Sequence, residues 1–262
     1  MKGTRNPLRR FPGVALTAYG FFVYLYLPIV VLLVLSFNAN RTATIWTGFS
    51  FDWYGIVLSN PDIIRAAKNS LVVASIATVV ATVFATMAAL AMARHRFLGQ
   101  SAVTGLVALP LVVPEIVTAV ATLLFFVMIG MRLGLATVII AHTVFCIPFA
   151  YLPIRARLEG MDKALTEAAA DLYANPWQAF RRVTLPLLWP GILSGAMLSF
   201  IISLDDFVIT YFVAGAGATT LPVYIFGMIR IGISPEVNAI STVMLVISVA
   251  FVSLSYLFAR RR

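Results

Sequence analysis

The chain has 262 residues, 61% of them hydrophobic and 11% charged, and its mean hydropathy is +0.97. Soluble domains carry roughly 25% charged residues, so water-soluble enzymes and binding modules are excluded and a polytopic membrane protein is implied. The net charge of +9 sits in short tracts beside apolar runs, which speaks for the positive-inside pattern and against nucleic acid. Cys146 is the lone cysteine, so no intramolecular disulfide is possible.

A helix needs about 20 apolar residues to cross a bilayer. Six segments meet that length, approximately Gly13–Phe37, Ser70–Ala93, Ser101–Ile129, Leu133–Leu152, Leu187–Ala214 and Val237–Ala259. The N-terminal tract MKGTRNPLRR precedes an apolar run that is longer than the roughly 7–15 residues of a signal-peptide core, so it reads as an uncleaved first span. The predicted fold is all-α, one domain over residues 1–262, with both termini on one side of the membrane. Placing that side in the cytoplasm puts Lys2, Arg5, Arg9, Arg10, Arg94, Arg96, Arg155, Arg157, Lys163, Arg181, Arg182, Arg260, Arg261 and Arg262 inside. Only Arg41, Arg65, Lys68, Arg132 and Arg230 then fall outside, as the positive-inside rule requires.

The outside segment Asn38–Asn69 carries Trp46, Trp53 and Tyr54, and a short interfacial helix is expected near Asp52–Leu58. Trp53 and Tyr54 suit either an interfacial anchor or a cation–π contact with an ammonium group. A second short apolar helix is expected around Val223–Ile229.

Pro110 and Pro114 remove backbone donors from the third span and predict a bend or break there. Glu115 follows that break. It either receives a cation at a broken helix lining a cavity or pairs with Ser, Thr or His on another helix. In the fifth span Ser199, Ser203, Asp206 and Thr210 stand at i, i+4, i+7 and i+11, one polar stripe on an otherwise apolar helix. That is the pattern of a pathway lining. Asp205 lies about 100° further round the helix, toward a partner subunit or the edge of the path. Carboxylates inside spans face the bundle interior or water and are functional candidates. Glu115, Asp205 and Asp206 are all acidic and no Lys or Arg accompanies them in the spans, so a cationic substrate fits and an anionic one does not. His142 reads as a packed, hydrogen-bonded histidine, and His95, in its arginine tract, as a solvated one.

The largest inside segment is 153–186. Its first half, Ile154–Tyr173, lacks Pro and is rich in helix formers. Asn175-Pro176 reads as an N-cap followed by proline at the first helical position, opening a second short helix, Pro176–Val183, that ends before Pro186. Within it stand Glu167-Ala168-Ala169, then Tyr173, Val183 and Leu185-Pro186. This resembles the E-A-A…G…I-x-L-P signature of permease subunits of binding-protein-dependent ABC importers, with Tyr173 in the glycine position and Val183 in that of isoleucine. The resemblance implies a coupling helix seated in a cleft of a cytoplasmic ATPase subunit. Tyr173 departs from it, because glycine there permits a sharp left-handed turn that tyrosine resists. Either the turn moves to Asn175 or the coupling geometry changes.

The likeness runs along nearly the whole chain. Tyr24–Asn38, Leu204–Asp206 and Ile233–Ala239 resemble one branch, the second permease subunit of spermidine/putrescine importers. It implies an inner-membrane permease with no catalytic residues, paired with a second permease, two ATPase subunits that bind ATP and Mg, and an extracytoplasmic binding protein. The chain itself has no GxxxxGK[ST] phosphate loop, so ATP hydrolysis is expected in a partner and no cofactor is expected here. Ser199, Ser203, Asp205, Asp206, Glu115 and Trp53 are the candidate substrate path, and Glu167, Ala168, Ala169, Tyr173, Leu185 and Pro186 the candidate coupling contacts. The rivals are an importer of another small amine or amino acid, an ion-coupled secondary transporter, and a non-transport scaffold or membrane enzyme.

Overall fold

The computed structural model describes residues 12–42, 45–94, 97–162, 164–232 and 234–260. His95, Arg96, Lys163 and the terminal basic residues Lys2, Arg5, Arg9, Arg10, Arg261 and Arg262 lie outside them. The helices are α1 Pro12–Leu35, α2 Asp52–Ser59, α3 Pro61–Arg94, α4 Gln100–Val112, α5 Glu115–Met128, α6 Leu135–Glu159, α7 Ala164–Asp171, α8 Pro176–Ala179, α9 Leu185–Asp205, α10 Val208–Val213, α11 Leu221–Ile231 and α12 Pro235–Arg260. A π-helical turn, Phe180–Thr184, links α8 to α9. Among the described residues four helices are long and apolar enough to cross a membrane: Gly13–Leu35, Pro61–Ala93, Leu135–Glu159 and Pro176–Asp205. The α4–α5 pair passes the same test together but is bent by 111°. Leu221–Ile231 and Pro235–Phe251 are shorter apolar helices.

The chain divides into two compact units, Met1–Asn60 with Gly227–Ile247 and Pro61–Phe226 with Ser248–Arg262. In the first, the segment after α1 is cinched by Asn38. Its backbone accepts the Trp53 indole N–H at 2.8 Å, and its side-chain amide donates to the Ile45 carbonyl at 2.8 Å. Phe37, Phe49, Phe51 and Tyr54 pack ring on ring beside it.

The second unit is built on α3, α6 and α9, which pack against one another. In lipid, apolar surface alone does not drive helices together, so small residues that let backbones approach do that work. On α3, Ala77, Ala81, Ala85 and Ala89 recur every fourth residue and are buried. On α9, Gly191, Gly195, Ser199 and Ser203 recur at the same interval and meet α6 in antiparallel register. A Cβ at Gly195 would come within 2.6 Å of the Ala150 carbonyl, and one at Gly191 within 2.6 Å of the Arg157 Cβ. Further along, Ser199 Oγ donates to the Cys146 carbonyl at 3.3 Å.

Several expected boundaries move. The second span begins earlier, because Pro61 opens α3 and the helix is unbroken from there to Arg94. Residues 61–69 are therefore helix rather than loop. The fourth span continues through Pro153 to Glu159, and the chain then breaks at Gly160 before α7, so Ile154–Tyr173 is not one helix. The helix opened by Pro176 does not stop before Pro186. Pro186 cannot donate to the Arg182 carbonyl and its ring crowds it. The widened π turn, with Leu185 N–H bonded to the Phe180 carbonyl, lets the helix run on into α9. The fifth span, expected to reach Ala214, breaks at Asp206 into α9 and the short α10.

Candidate functional site

Two helix breaks meet in the second unit. The first is the break expected from the prolines. Val113 precedes Pro114, whose ring drives it to extended backbone (ψ 133°), and α4 ends there. Glu115 is the first residue of α5. The second break has no proline or glycine. Asp206 is extended (φ −62°, ψ 126°), and its carboxylate caps α10. It accepts the Ile209 N–H at 3.3 Å, the Thr210 N–H at 3.0 Å and the Thr210 hydroxyl at 3.2 Å. A carboxylate here satisfies otherwise orphaned amides and complements the helix dipole.

His142, in the first half of α6, meets the second break. Its Nε2 lies 3.1 Å from Asp206 Oδ1 and 2.8 Å from Thr210 Oγ1, and its Nδ1 lies 2.7 Å from Ser203 Oγ. With the Nε2 proton directed at Asp206, Nδ1 accepts from Ser203 and a neutral ring satisfies every partner. The Glu115 carboxyl lies beside that of Asp206, where α5 packs on α10. The side chains of His142 and Asp206 are only 1% and 2% exposed.

The expected polar stripe comes together: Ser199, Ser203, Asp206 and Thr210 share one side and all are buried. In this chain that side is packed on α6, because Gly191 and Gly195 bring the helices close. Asp205 stands apart, exposed at the end of α9. Beyond the break Phe207, Tyr211 and Phe226 cluster, with centroids 5.3 Å apart for Phe207–Tyr211, 4.5 Å for Phe207–Phe226 and 6.0 Å for Tyr211–Phe226. Trp53 is half-buried in the other unit. Sequence reasoning found His142 packed but missed its partners. The available signal was its place on the row His142, Cys146, Ala150, spaced like Gly195, Ser199, Ser203 on α9. The aromatic cluster was missed because Phe226 belongs to a different helix.

The loop after α6 keeps the expected caps. Asn175 accepts the Gln178 N–H at 2.8 Å, and the Gln178 side chain accepts the Asn175 N–H at 3.0 Å. The left-handed turn, however, has not moved to Asn175. Tyr173 itself has φ +57°, whereas Asn175 is extended (ψ 162°). The Ala174 N–H bonds the Ala169 carbonyl at 3.0 Å and the Tyr173 N–H the Ala170 carbonyl at 2.9 Å. That is a Schellman motif with tyrosine in the position glycine usually takes. The same motif closes α5 with Gly130 at φ +70°. Leu172, Tyr173 and Trp177 are 81%, 97% and 65% exposed. Glu167, Ala168 and Pro186 are exposed, Leu185 is half-buried, and Ala169 is buried.

Residues 81–262 match the family model described as the binding-protein-dependent transport system inner membrane component. The chain belongs to that family. This inner-membrane component is 41% identical over 240 residues to the spermidine/putrescine transport system permease protein PotC of Haemophilus influenzae, covering 92% of this chain and 93% of that one. It is 39% identical over 231 residues to the putrescine transport system permease protein PotI of Escherichia coli K12, covering 86% and 82%. Its fold matches a bacterial ABC transporter involved in the import of the acidic polysaccharide alginate, with a TM-score of 0.73 at 18% identity over 96% of this chain and 94% of that one. It also matches the MetNI methionine ABC transporter in inward-facing form, with a TM-score of 0.64 at 21% identity over 76% and 94%. At those identities the likeness establishes the fold and carries nothing about cargo.

Proposed function

We propose that this permease forms one half of the membrane path of an ATP-driven importer whose cargo is a polyamine of the spermidine/putrescine class. The observation that carries the cargo is the 41% identity to a spermidine/putrescine permease over 92% of the chain. The chemistry of the breaks agrees with it. Asp205, Asp206 and Glu115 lie at the two breaks, and no Lys or Arg occurs between Arg182 and Arg230. Such a site has a negative field that lowers the energy of a polycation and raises that of an anion.

In this reading residues 1–262 are one transmembrane domain with six spans, the α4–α5 pair counting as one and α12 as the last. Both termini and the loop 153–186 face the cytoplasm of a bacterium, across its inner membrane. A second permease completes the path, an extracytoplasmic binding protein delivers cargo, and two ATPase subunits bind ATP and Mg. The coupling surface is Glu167, Ala168, Ala169, Tyr173, Leu185 and Pro186. Closure of the ATPase pair moves that loop and switches the path from one side to the other. Ser199, Ser203, Asp205, Asp206, Glu115 and Trp53 belong to the path; the exposed Asp205 offsets cargo charge, while the buried Asp206 holds the break.

The test is uptake of labelled putrescine and spermidine by cells expressing the complete transporter with and without this chain. Uptake that requires the chain is expected. Uptake unaffected by its deletion refutes the cargo.

A further inference from the structure

The two aspartates at the α9–α10 break have different surroundings. Asp206 is buried and already accepts hydrogen bonds from Ile209, Thr210 and His142. Asp205, its neighbour, is exposed, and its side chain makes no hydrogen bond or ion pair among the described residues. An unpaired carboxylate at the end of an apolar span is well placed to take a cationic partner. None is offered by its own stretch of chain, which is free of Lys and Arg from Val183 to Ile229. Two peptide bonds separate Asp205 from Phe207, at most about 7 Å between their Cα atoms. Phe207 opens the aromatic cluster with Tyr211, which is 44% exposed, and Phe226.

We propose that the α9–α10 break carries an ammonium-binding subsite, in which the Asp205 carboxylate and the Phe207–Tyr211–Phe226 cluster take one primary ammonium group of a polyamine. This rests on the importer reading above and deepens it. A carboxylate with aromatic faces beside it attracts an ammonium twice, by charge and by the ring quadrupole, and the second attraction strengthens as water is excluded. The subsite therefore selects a compact organic cation over an anion or a neutral solute. Asp206 does not touch the cargo. It is a positioning residue: its bonds to the α10 amides and to His142 hold the break that sets Asp205 beside Phe207.

The experiment uses the complete transporter in proteoliposomes, with putrescine as the probe. KM and Vmax for uptake are measured together with the rise in thermal midpoint that putrescine produces. Asp205→Asn and Tyr211→Leu are each expected to raise KM about tenfold with Vmax changed less than about twofold. Asp206→Asn keeps a capping oxygen but loses the charge facing His142, so it lowers Vmax and leaves KM in place. Asp206→Ala lowers Vmax further and lowers the thermal midpoint of the free transporter. Wild-type KM in both Asp205→Asn and Tyr211→Leu overturns the subsite while leaving the cargo standing. So does a larger KM rise in Asp206→Asn than in Asp205→Asn at unchanged stability. If the wild-type transporter takes up no putrescine, the cargo reading fails. The thermal shift then decides the subsite: a shift abolished by Asp205→Asn supports it, and the absence of any shift overturns it.

Discussion

Tyr173→Gly is expected to stabilise the loop that carries the family signature. Tyr173 holds φ +57° at the turn that closes α7. For a residue with a Cβ that conformation costs roughly 1–2 kcal/mol, whereas glycine adopts it without strain. Glycine gives part of this back through its greater freedom in the open chain, so the net gain is about 1 kcal/mol. The side chain is 97% exposed, so its removal forfeits almost no packing within this chain. The amides that close the motif belong to Tyr173 and Ala174. Their hydrogen exchange in the assembled transporter should slow about fivefold in Tyr173→Gly, less in Tyr173→Asn, and not at all in Tyr173→Ala. The series separates backbone strain from a contact with a partner subunit. A contact is lost alike in Gly, Asn and Ala, whereas strain is relieved in the order Gly, Asn, Ala. Equal shifts in all three, or faster exchange in the glycine variant, would refute the strain argument.

Gly195→Ala should lower the thermal midpoint of the transporter, by the equivalent of about 1–3 kcal/mol, because the new Cβ meets the Ala150 backbone. Gly105→Ala, where nothing lies within 4 Å, should leave it unchanged or raise it, and equal effects would discount the α6–α9 seam. His142→Ala removes one hydrogen-bond partner of the buried Asp206 and should destabilise by about 1.5–3 kcal/mol in the same assay, with partial rescue by His142→Gln. An unchanged midpoint in the alanine variant would show that Asp206 does not depend on the ring. Glu167→Lys and Ala169→Asp should leave ATP hydrolysis running while putrescine uptake is lost, and full uptake in both would remove these residues from the coupling surface.

How far the sequence could be read depended on the range of the signal. The apolar length of four spans and the Pro110–Pro114 break are local, and these were legible, because apolar length and a missing N–H act where they occur. The break at Asp206 was not. Leu204-Asp205-Asp206-Phe207 contains no proline or glycine, and the helical stripe through Thr210 was the simplest pattern. What ends α9 is capping by Asp206, reinforced by His142 from another helix. Ser203 and His142 are 61 residues apart in sequence, and no periodicity on one helix announces its partner on another. Tyr173 failed for a different reason. Propensity left two readings, a turn moved to Asn175 or an altered coupling geometry, but Asn175 was already committed to a reciprocal cap with Gln178 that requires extended backbone. The motif closing α7 overrode the preference of a single residue.

These features bear on how a push at the loop would reach the cargo. From Pro176 to Asp205 the backbone is one helical run of 30 residues, about 45 Å long at 1.5 Å per residue. Its seam with α6 is made by Gly191, Gly195, Ser199 and Ser203, whose close backbone contacts resist sliding more than a seam of long side chains does. A rigid run that ends at an unpaired aspartate delivers displacement to that aspartate rather than absorbing it. The compliant points are then the π turn inside it before Pro186, where hydrogen bonds are already re-registered, and the capped break at its end, at Asp206. Motion of α8 under an ATPase partner would tilt α9 about the first and shift Asp205 relative to Phe207 at the second. In the proposed subsite, an ammonium held between carboxylate and ring in one position would be released in the other, so the helix that receives the push would also set the affinity for the cargo.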